Sequence, residues 1–306
     1  MKVLLTGATG FIGSYVLREL IRKGHSVRCL VRDVPRRLDV ESADVEQVEG
    51  SVTDPSSLEG TMDGCDAVIH LVGIIDERPS KGVTFERVHH DGTKNVVDQA
   101  VSSGVPRFIH MSANGARPDG VSAYQTSKWK AEEVVREAGF EHWTIFRPST
   151  VFGDPGPDNP EFAVQVARTL VKPFPILPVF GDGTFEMQPI SVEETASAMV
   201  QALTLDAARN KSYCTAGRER MTYVDILDRI TDAVGHARKR KLRQPISLVR
   251  PFIHTIGRTG LLPISPDQFE MLIEGNTCDS TALYADFELD YKPFSPENLH
   301  YVKRRS

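Results

Sequence analysis

The chain has 306 residues, 40% hydrophobic and 25% charged, and its 41 acidic against 36 basic side chains leave a net charge of −5. Roughly 150 residues per domain gives two lobes, and a chain this long buries a full core without disulfide or metal staples. So mild an acidity argues against nucleic acid as the main partner, which calls for a basic face; no apolar run approaches the ~20 residues of a membrane span; and the composition excludes disorder and collagen.

The opening Met-Lys-Val-Leu-Leu-Thr-Gly is too short for the apolar core of a signal peptide. Cys29, Cys65, Cys214 and Cys278 lie far apart with no C-x-x-C pair, which indicates neither a disulfide framework nor a zinc site. A cytoplasmic protein is therefore expected. His, Cys and carboxylates show no metal-ligand spacing, so no metal is expected.

Val3-Leu4-Leu5, ending at Thr6-Gly7, reads as a buried strand. Phe11 to Lys23 carries apolar residues at helical spacing (12, 16, 17, 20 and 21), with Gly24 where a helix-ending glycine belongs. Ser26 to Val31 reads as a second strand, Val45 to Val48 as a weak third and Ala67 to Leu71 as a fourth. Thr84 to Ser103 reads as one helix, Arg107 to Met111 as a fifth strand, Ser122 to Ala138 as a helix and Trp143 to Phe146 as a sixth strand. Near-continuous apolar strands alternating with helices imply a parallel sheet covered on both faces, and right-handed crossovers make it a doubly wound α/β (Rossmann) fold.

After Arg147-Pro148 the texture changes, because Gly153 to Pro160 cannot continue a helix or a central strand. Ser191 to Leu203 and Tyr223 to Val234 read as amphipathic helices, and prolines at 245, 251, 263, 266, 293 and 296 break the remainder into short pieces. Residues 1–152 are expected to form the dinucleotide-binding domain, rejoined by about 184–220. A smaller, mostly helical C-terminal substrate or partner lobe takes 153–183 and 221–306.

Thr6-Gly7-Ala8-Thr9-Gly10-Phe11-Ile12-Gly13 joins the first strand to the first helix. Gly7 permits the tight turn, Gly10 lets a pyrophosphate approach the backbone, and Gly13 lets the helix pack on the sheet; the phosphates then meet free amides and the helix dipole. A glycine-rich turn without a ligand is the bland alternative. After the second strand an NAD-binding unit usually carries Asp or Glu for the ribose 2′-hydroxyl. Here Leu30-Val31-Arg32-Asp33 follows, with Arg36 and Arg37 nearby. Arg32 can grip a 2′-phosphate through paired charge-assisted bonds, so NADP is expected ahead of NAD, although Asp33 could partly neutralise it.

Tyr124 and Lys128 open the helix after the fifth strand on one helix face. The Y-x-x-x-K pattern alone is common and usually marks two surface residues. Here it follows a strand of a unit whose first turn is the dinucleotide loop. A nearby ammonium should lower the phenol pKa and fit Tyr124 for general acid–base work.

Together these residues, with His70-Leu71-Val72-Gly73, Gly92-Thr93-Lys94-Asn95, Arg147 to Gly153 and Gln188 to Val192, resemble the short-chain dehydrogenase/reductase superfamily in its extended or atypical branch. Within it the pattern looks most like the Rossmann-fold accessory subunit of respiratory complex I and proteins labelled nucleoside-diphosphate-sugar epimerases. The resemblance implies that Gly7, Thr9, Gly10, Phe11, Ile12 and Gly13 hold the diphosphate and that Val52 meets adenine, Ser51 standing where an acidic residue is usual. It places Leu71, Val72 and Gly73 along the adenosine side and ribose, Lys128 on the nicotinamide ribose, and Pro148 to Val151 at the nicotinamide amide. It also implies Tyr124 and Lys128 as the catalytic pair. The family's usual Ser falls on Ala113, with Ser112 one residue early, and its usual Asn on His89, for which helix packing is the plainer role.

His236 to Arg243 is the sharpest charge run, and an apolar stretch broken by Pro251 (246–256, with Leu261-Leu262) follows it. A solvated edge and lobe packing are the bland accounts; an anionic membrane or a protein partner is the sharper one. Phe152, Phe180, Phe185 and Met187 read equally as a substrate wall or as core.

Two functional readings result. In one, an NADP(H)-dependent oxidoreductase or epimerase-like enzyme moves hydride to or from a nucleotide sugar, a carbonyl compound or a quinone-like molecule in a cleft between lobes. In the other, the chain binds NADP(H) without turnover and acts as a structural, sensing or assembly partner.

Overall fold

The computed structural model describes residues 1–34, 38, 40, 42–256 and 264–306. Arg36, Arg37, Leu261 and Leu262, singled out above, lie outside the described residues. The chain divides into two compact units: Met1–Pro148 with Glu193–Thr215 and Ser280–Leu289, and Ser149–Val192 with Ala216–Asp279 and Asp290–Ser306.

The first unit is built on seven strands: β1 (Lys2–Thr6), β2 (Ser26–Val31), β3 (Val45–Glu49), β4 (Ala67–His70), β5 (Arg107–Met111), β6 (His142–Pro148) and β7 (Lys211–Thr215). They pair in the order β7-β6-β5-β4-β1-β2-β3, every pair parallel. Val3, Leu4, Leu5, Val68 and Ile69 are fully buried, as strands sandwiched between two helical layers must be. Helices α1 (Phe11–Arg22), α2 (Gly92–Ser102), α3 (Ala123–Glu137), α4 (Val192–Gln201) and α5 (Thr281–Asp286) complete the chain order of this layer structure. The order reverses between β1 and β4. In open α/β sheets ligands bind beyond the carboxyl ends of the strands at such a reversal.

Two elements depart from the sequence expectation. The segment read as one helix over 84–103 begins as a π-helical turn, Glu86–Asp91, before continuing as α2. Single π turns often sit at functional sites, and this one carries His89. The seventh strand was not foreseen: Lys211–Thr215 has a polar start and pairs only with β6. The cysteine expectation also needs correction. Cys29 and Cys65 are buried free thiols, whereas Cys214 is disulfide-bonded.

The second unit has its own core of Phe152, Ala163, Val166, Leu177, Met187, Tyr223, Ile226, Leu227, Phe294 and Tyr301, with Phe180 and Phe185 packed against it. Phe180 and Phe185 stack on Tyr223, at ring separations of 6.4 and 4.9 Å. These four aromatic and Met side chains are therefore core. The helix Tyr223–Ala233 starts from a capping box formed by Thr222 and Asp225. Pro251 does not break the apolar stretch, as the sequence suggested; it lies inside the helix Ile246–Ile256. Cys278 is disulfide-bonded. Among the described residues no helix is long and apolar enough to cross a membrane.

Candidate functional site

The end of β1 is tied to the end of β4 by buried side chains. Thr6 Oγ1 lies 2.8 Å from His70 Nδ1 and accepts the Leu71 N–H at 3.2 Å, while His70 Nε2 lies 3.1 Å from Thr93 Oγ1. Burial brings the His70 pKa down to about 3, so the ring is a neutral relay between the hydroxyls. The chain then turns at Gly7, whose φ of +79° lies in the left-handed region. The Gly10 N–H donates to Gly7 O at 3.0 Å, and the first helical bond, Ser14 N–H to Gly10 O, is also 3.0 Å. Gly10 caps α1 in an extended conformation with no side-chain bond. The amides of Phe11, Ile12 and Gly13 thus precede the first helical hydrogen bond and face the turn as donors. A Cβ on Gly13 would stand 1.9 Å from Gly7 O. Thr9 is exposed on the rim of this turn.

Arg32 is exposed directly after β2, and among the described residues no ion pair joins it to Asp33, which is also exposed. Val52 is buried under α2: its carbonyl accepts from Asn95 Nδ2 at 2.9 Å, and it packs against Gly92. Leu71 is buried, Val72 half-buried and Gly73 exposed, just beyond β4 at the strand-order reversal. Pro148 ends β6, and its carbonyl accepts the Asn114 N–H at 2.8 Å. Val151 belongs to the second unit, in a two-residue strand (Val151–Phe152) parallel to Ile190–Ser191.

Ser122 caps α3, its hydroxyl accepting the Gln125 N–H at 3.2 Å, and the helix then presents Tyr124 and Lys128 on one side. Lys128 is 2% exposed. Its ammonium donates to Met111 O at 3.1 Å, at the end of β5, and lies 3.0 Å from where a Gly73 Cβ would be. Burial lowers its pKa to about 8, partly opposed by the Glu132 charge one turn on. Tyr124 stands edge-on to Phe85 and His89, at 5.6 and 5.3 Å. Its phenol is pushed up to about 12 by burial. This overturns the expectation that Lys128 depresses it. The ammonium is engaged with the Met111 carbonyl, and desolvation disfavours a phenolate.

His89 is buried, with Nδ1 2.9 Å from Ser127 Oγ and Nε2 3.0 Å from the Ile74 N–H. Burial first, and the Lys128 charge second, push its pKa down to about 2. Nε2 also lies 3.1 Å from Ile74 O, so both Ile74 and Ser127 hold the neutral ring. Ser127 Oγ in turn donates to Tyr124 O at 2.9 Å. His89 thus positions α3 against the segment after β4. Ser112 is buried and donates its N–H to Phe146 O at 2.7 Å, and among the described residues its hydroxyl has no partner; Ala113, beside it, is buried.

Sequence reasoning missed two buried clusters. His110 stacks on His70 at 5.6 Å, and neither of its ring nitrogens has a partner among the described residues. The register pairing His70 with His110 on adjacent strands is the signal that could have found it. Glu132 is fully buried and takes Arg147 in a fork, Nε to Oε1 at 2.7 Å and Nη2 to Oε2 at 2.5 Å, with Arg136 on the same carboxylate. The i, i+4 run 128, 132, 136 was visible in the sequence. Glu86, His90 and Asp91 bring ligand atoms within 4.8 Å of one another, a grouping also not singled out; Lys130 holds Glu86 at 2.9 Å.

Lys128 links the site to stability. Its pKa is lowered on folding, so the unfolded chain binds the proton more tightly and stability rises with pH between about 8 and 10.5. The cost is fully present below that window. Lys128→Met is therefore expected to stabilise the free protein by about 2 kcal/mol near pH ~7, with the gain shrinking from pH ~8 upward and largely gone by pH ~10. Urea unfolding of both proteins at the lowest and highest of these pH values checks this; equal stabilities near neutral pH would contradict a buried ammonium.

The chain matches the NAD dependent epimerase/dehydratase family over residues 3–214. A ceramide reductase from Caulobacter vibrioides is 31% identical over 243 residues, covering 79% of this chain and 73% of its own length. The mitochondrial NADH-ubiquinone oxidoreductase 40 kDa subunit of Neurospora crassa is 26% identical over 303 residues, 97% of this chain and 77% of its own. Among solved structures, the UDP-glucose 4-epimerase of Thermotoga maritima with UDP-glucose superposes with a TM-score of 0.75 at 19% identity, over 100% of this chain and 98% of that one. At that identity the likeness is one of fold.

Proposed function

The chain belongs to the NAD-dependent epimerase/dehydratase family, and from that premise we propose that it is an NADP(H)-dependent reductase of a carbonyl compound. The observation that carries this reading is Lys128, buried with its ammonium at the end of β5 and four residues from Tyr124 on the same helix. A charged side chain is kept out of water only at considerable cost, and its place beside Gly73 gives that cost a use. The relative named as a ceramide reductase supports the reductase class.

The residues present fit a dinucleotide. Gly7 and Gly13 leave no room for side chains, and Gly10 caps α1 without occupying its amides. In this reading Gly7, Thr9, Gly10, Phe11, Ile12 and Gly13 hold the diphosphate and Arg32 the 2′-phosphate. Val52, Leu71, Val72 and Gly73 border the adenosine, and Tyr124, Lys128 and Pro148 stand at the nicotinamide end. The cofactor, when bound, supplies the hydride. Tyr124, neutral across the working range, donates its proton to the carbonyl oxygen as that oxygen gains charge, giving the alcohol, and regains a proton from solvent. Lys128, its ammonium at the end of β5 beside Gly73, binds the nicotinamide ribose and so positions the hydride donor.

Arg32→Ala is expected to weaken NADP(H) binding by about 10- to 100-fold, the range for losing a charge-assisted pair, and to leave NAD(H) nearly unchanged. Calorimetric titration of both coenzymes checks this; equal weakening would remove the 2′-phosphate assignment. The reading as a whole is tested by NADPH oxidation against a panel of aldehydes and ketones.

A second reading, NADP(H) binding without turnover, is favoured by Ala113 in the usual Ser position; the Neurospora relative, named as a subunit of a larger oxidoreductase, supports the assembly-partner side of it. Bound NADPH that no carbonyl reoxidises would decide for it.

A further inference from the structure

We propose that the second unit docks on an anionic bilayer surface through the strand Lys241–Gln244 and the helix Ile246–Ile256. Between residues 236 and 256 the sequence carries six Lys or Arg and no Asp or Glu. Arg238, Arg240 and Arg243 are exposed. Among the described residues Arg238 and Arg240 have no acidic partner, while Asp182 feels the charge of Arg243. The other cations are engaged. Lys239 donates to Val171 O and Phe174 O at 2.5 and 2.8 Å, Lys241 holds Asp228 at 2.7 Å, and Arg250 and His254 hold Glu270 at 3.0 and 2.8 Å. Lys303 comes close to Gly235, at the head of the run. Asp232, on the preceding helix, is the further exposed acid nearby.

Apolar side chains are exposed along the same stretch of chain. Leu248 is 72% exposed and Phe252 52%; four residues apart, they share one side of the helix, while Ile253 turns inward. Leu242, 57% exposed, stands in register with Pro178. That strand pairing, with the Leu177 N–H on Arg240 O at 2.8 Å, brings Phe174 and Ile176, both exposed, alongside. These five are the majority of the nine large apolar side chains exposed among the described residues, and all lie within this substructure. Isolated exposed apolar side chains are ordinary, but a cluster interleaved with unpaired guanidinium groups marks a contact surface.

A bilayer fits this chemistry best. Leu and Phe side chains enter the acyl boundary and are relieved of water, while the arginines meet lipid phosphates, the two signals stable peripheral binding requires. The basic run sets the charge of the partner, and among the described residues no helix is long and apolar enough to cross a membrane, so the protein would lie on the surface.

The test is co-sedimentation of the full chain with phosphatidylcholine vesicles, with and without phosphatidylglycerol. Sedimentation with the anionic vesicles alone, reversed by roughly 0.5 M salt, is expected. Replacing Arg238, Arg240 and Arg243 together by Ala should weaken it about 100-fold, at roughly a factor of five per basic residue. Leu248→Asp with Phe252→Asp should abolish it without changing thermal unfolding, since both side chains are exposed. The proposal is overturned if the wild type stays in the supernatant, if the variants sediment like wild type, or if the protein binds polyglutamate and ignores vesicles. That last result would make the face a dock for an acidic protein.

Discussion

Tyr124→Phe should lower reductase turnover by about 10²- to 10⁴-fold, the range for removing a positioned general acid, while leaving the protein folded and still able to bind coenzyme. The ring contacts explain why the fold survives. Tyr124 packs edge-on against Phe85 and His89, and Phe keeps both contacts. The hydroxyl makes no hydrogen bond within the described residues, so its loss leaves no buried partner stranded and stability stays within about 1 kcal/mol. A phenol held near 12 stays protonated throughout the neutral range and so is ready as the proton donor for reduction. Lys128 adds an alkaline limb, since its ammonium is lost above about 8. Activity should fall through that region, and in Lys128→Met the limb should vanish with most of the rate. Steady-state NADPH oxidation across pH, for wild type and both variants, is the measurement; an unchanged kcat in Tyr124→Phe would remove the tyrosine from the mechanism.

What the sequence disclosed and what it hid divide along physical lines. Ser26–Val31 and Arg107–Met111 were legible to the residue because they are short apolar runs bounded by turns, and Gly24 was legible as a helix end, at φ +78°. Lys211–Thr215 was not: its first two residues are polar and exposed, and only pairing with β6 makes it a strand. The π turn at Glu86–Asp91 preserves the apolar spacing of a helix, so periodicity cannot reveal it. At the site, the spacing of Tyr124 and Lys128 was visible, but their proton affinities were not. Charge proximity argued for a depressed phenol, whereas burial, a tertiary quantity, raised it. His89 shows the same limit. Its identity at the usual Asn position could be read, but its partners Ile74 and Ser127 lie 15 and 38 residues away in the chain, and only folding places them around the ring.

Gly13→Ala should cost about 3 kcal/mol or more and abolish coenzyme binding, because the new methyl has nowhere to go. Its Cβ would lie 1.9 Å from Gly7 O and 2.7 Å from Gly7 C, both backbone atoms that no rotamer change can move. Gly7 cannot yield either. It is fixed at positive φ, and its own Cβ position is 3.3 Å from the Leu71 backbone, so the clash is passed to the segment that ends β4. Relief requires sliding the start of α1 away from the turn, which scatters the amides of Phe11, Ile12 and Gly13. Gly10→Ala provides the contrast. Its Cβ would meet only Gly7 O, at 3.3 Å, and its φ of −80° suits any residue. The fold should therefore lose under about 1 kcal/mol, while a methyl at the helix cap obstructs the diphosphate and weakens coenzyme binding at least ~10-fold. Thermal unfolding paired with calorimetric titration separates the outcomes: Gly13→Ala losing both stability and binding, Gly10→Ala losing binding alone. If Gly10→Ala bound both coenzymes like wild type, the diphosphate would not lie against this turn, and the anion-binding role of α1 would have to be given up even with the sheet intact.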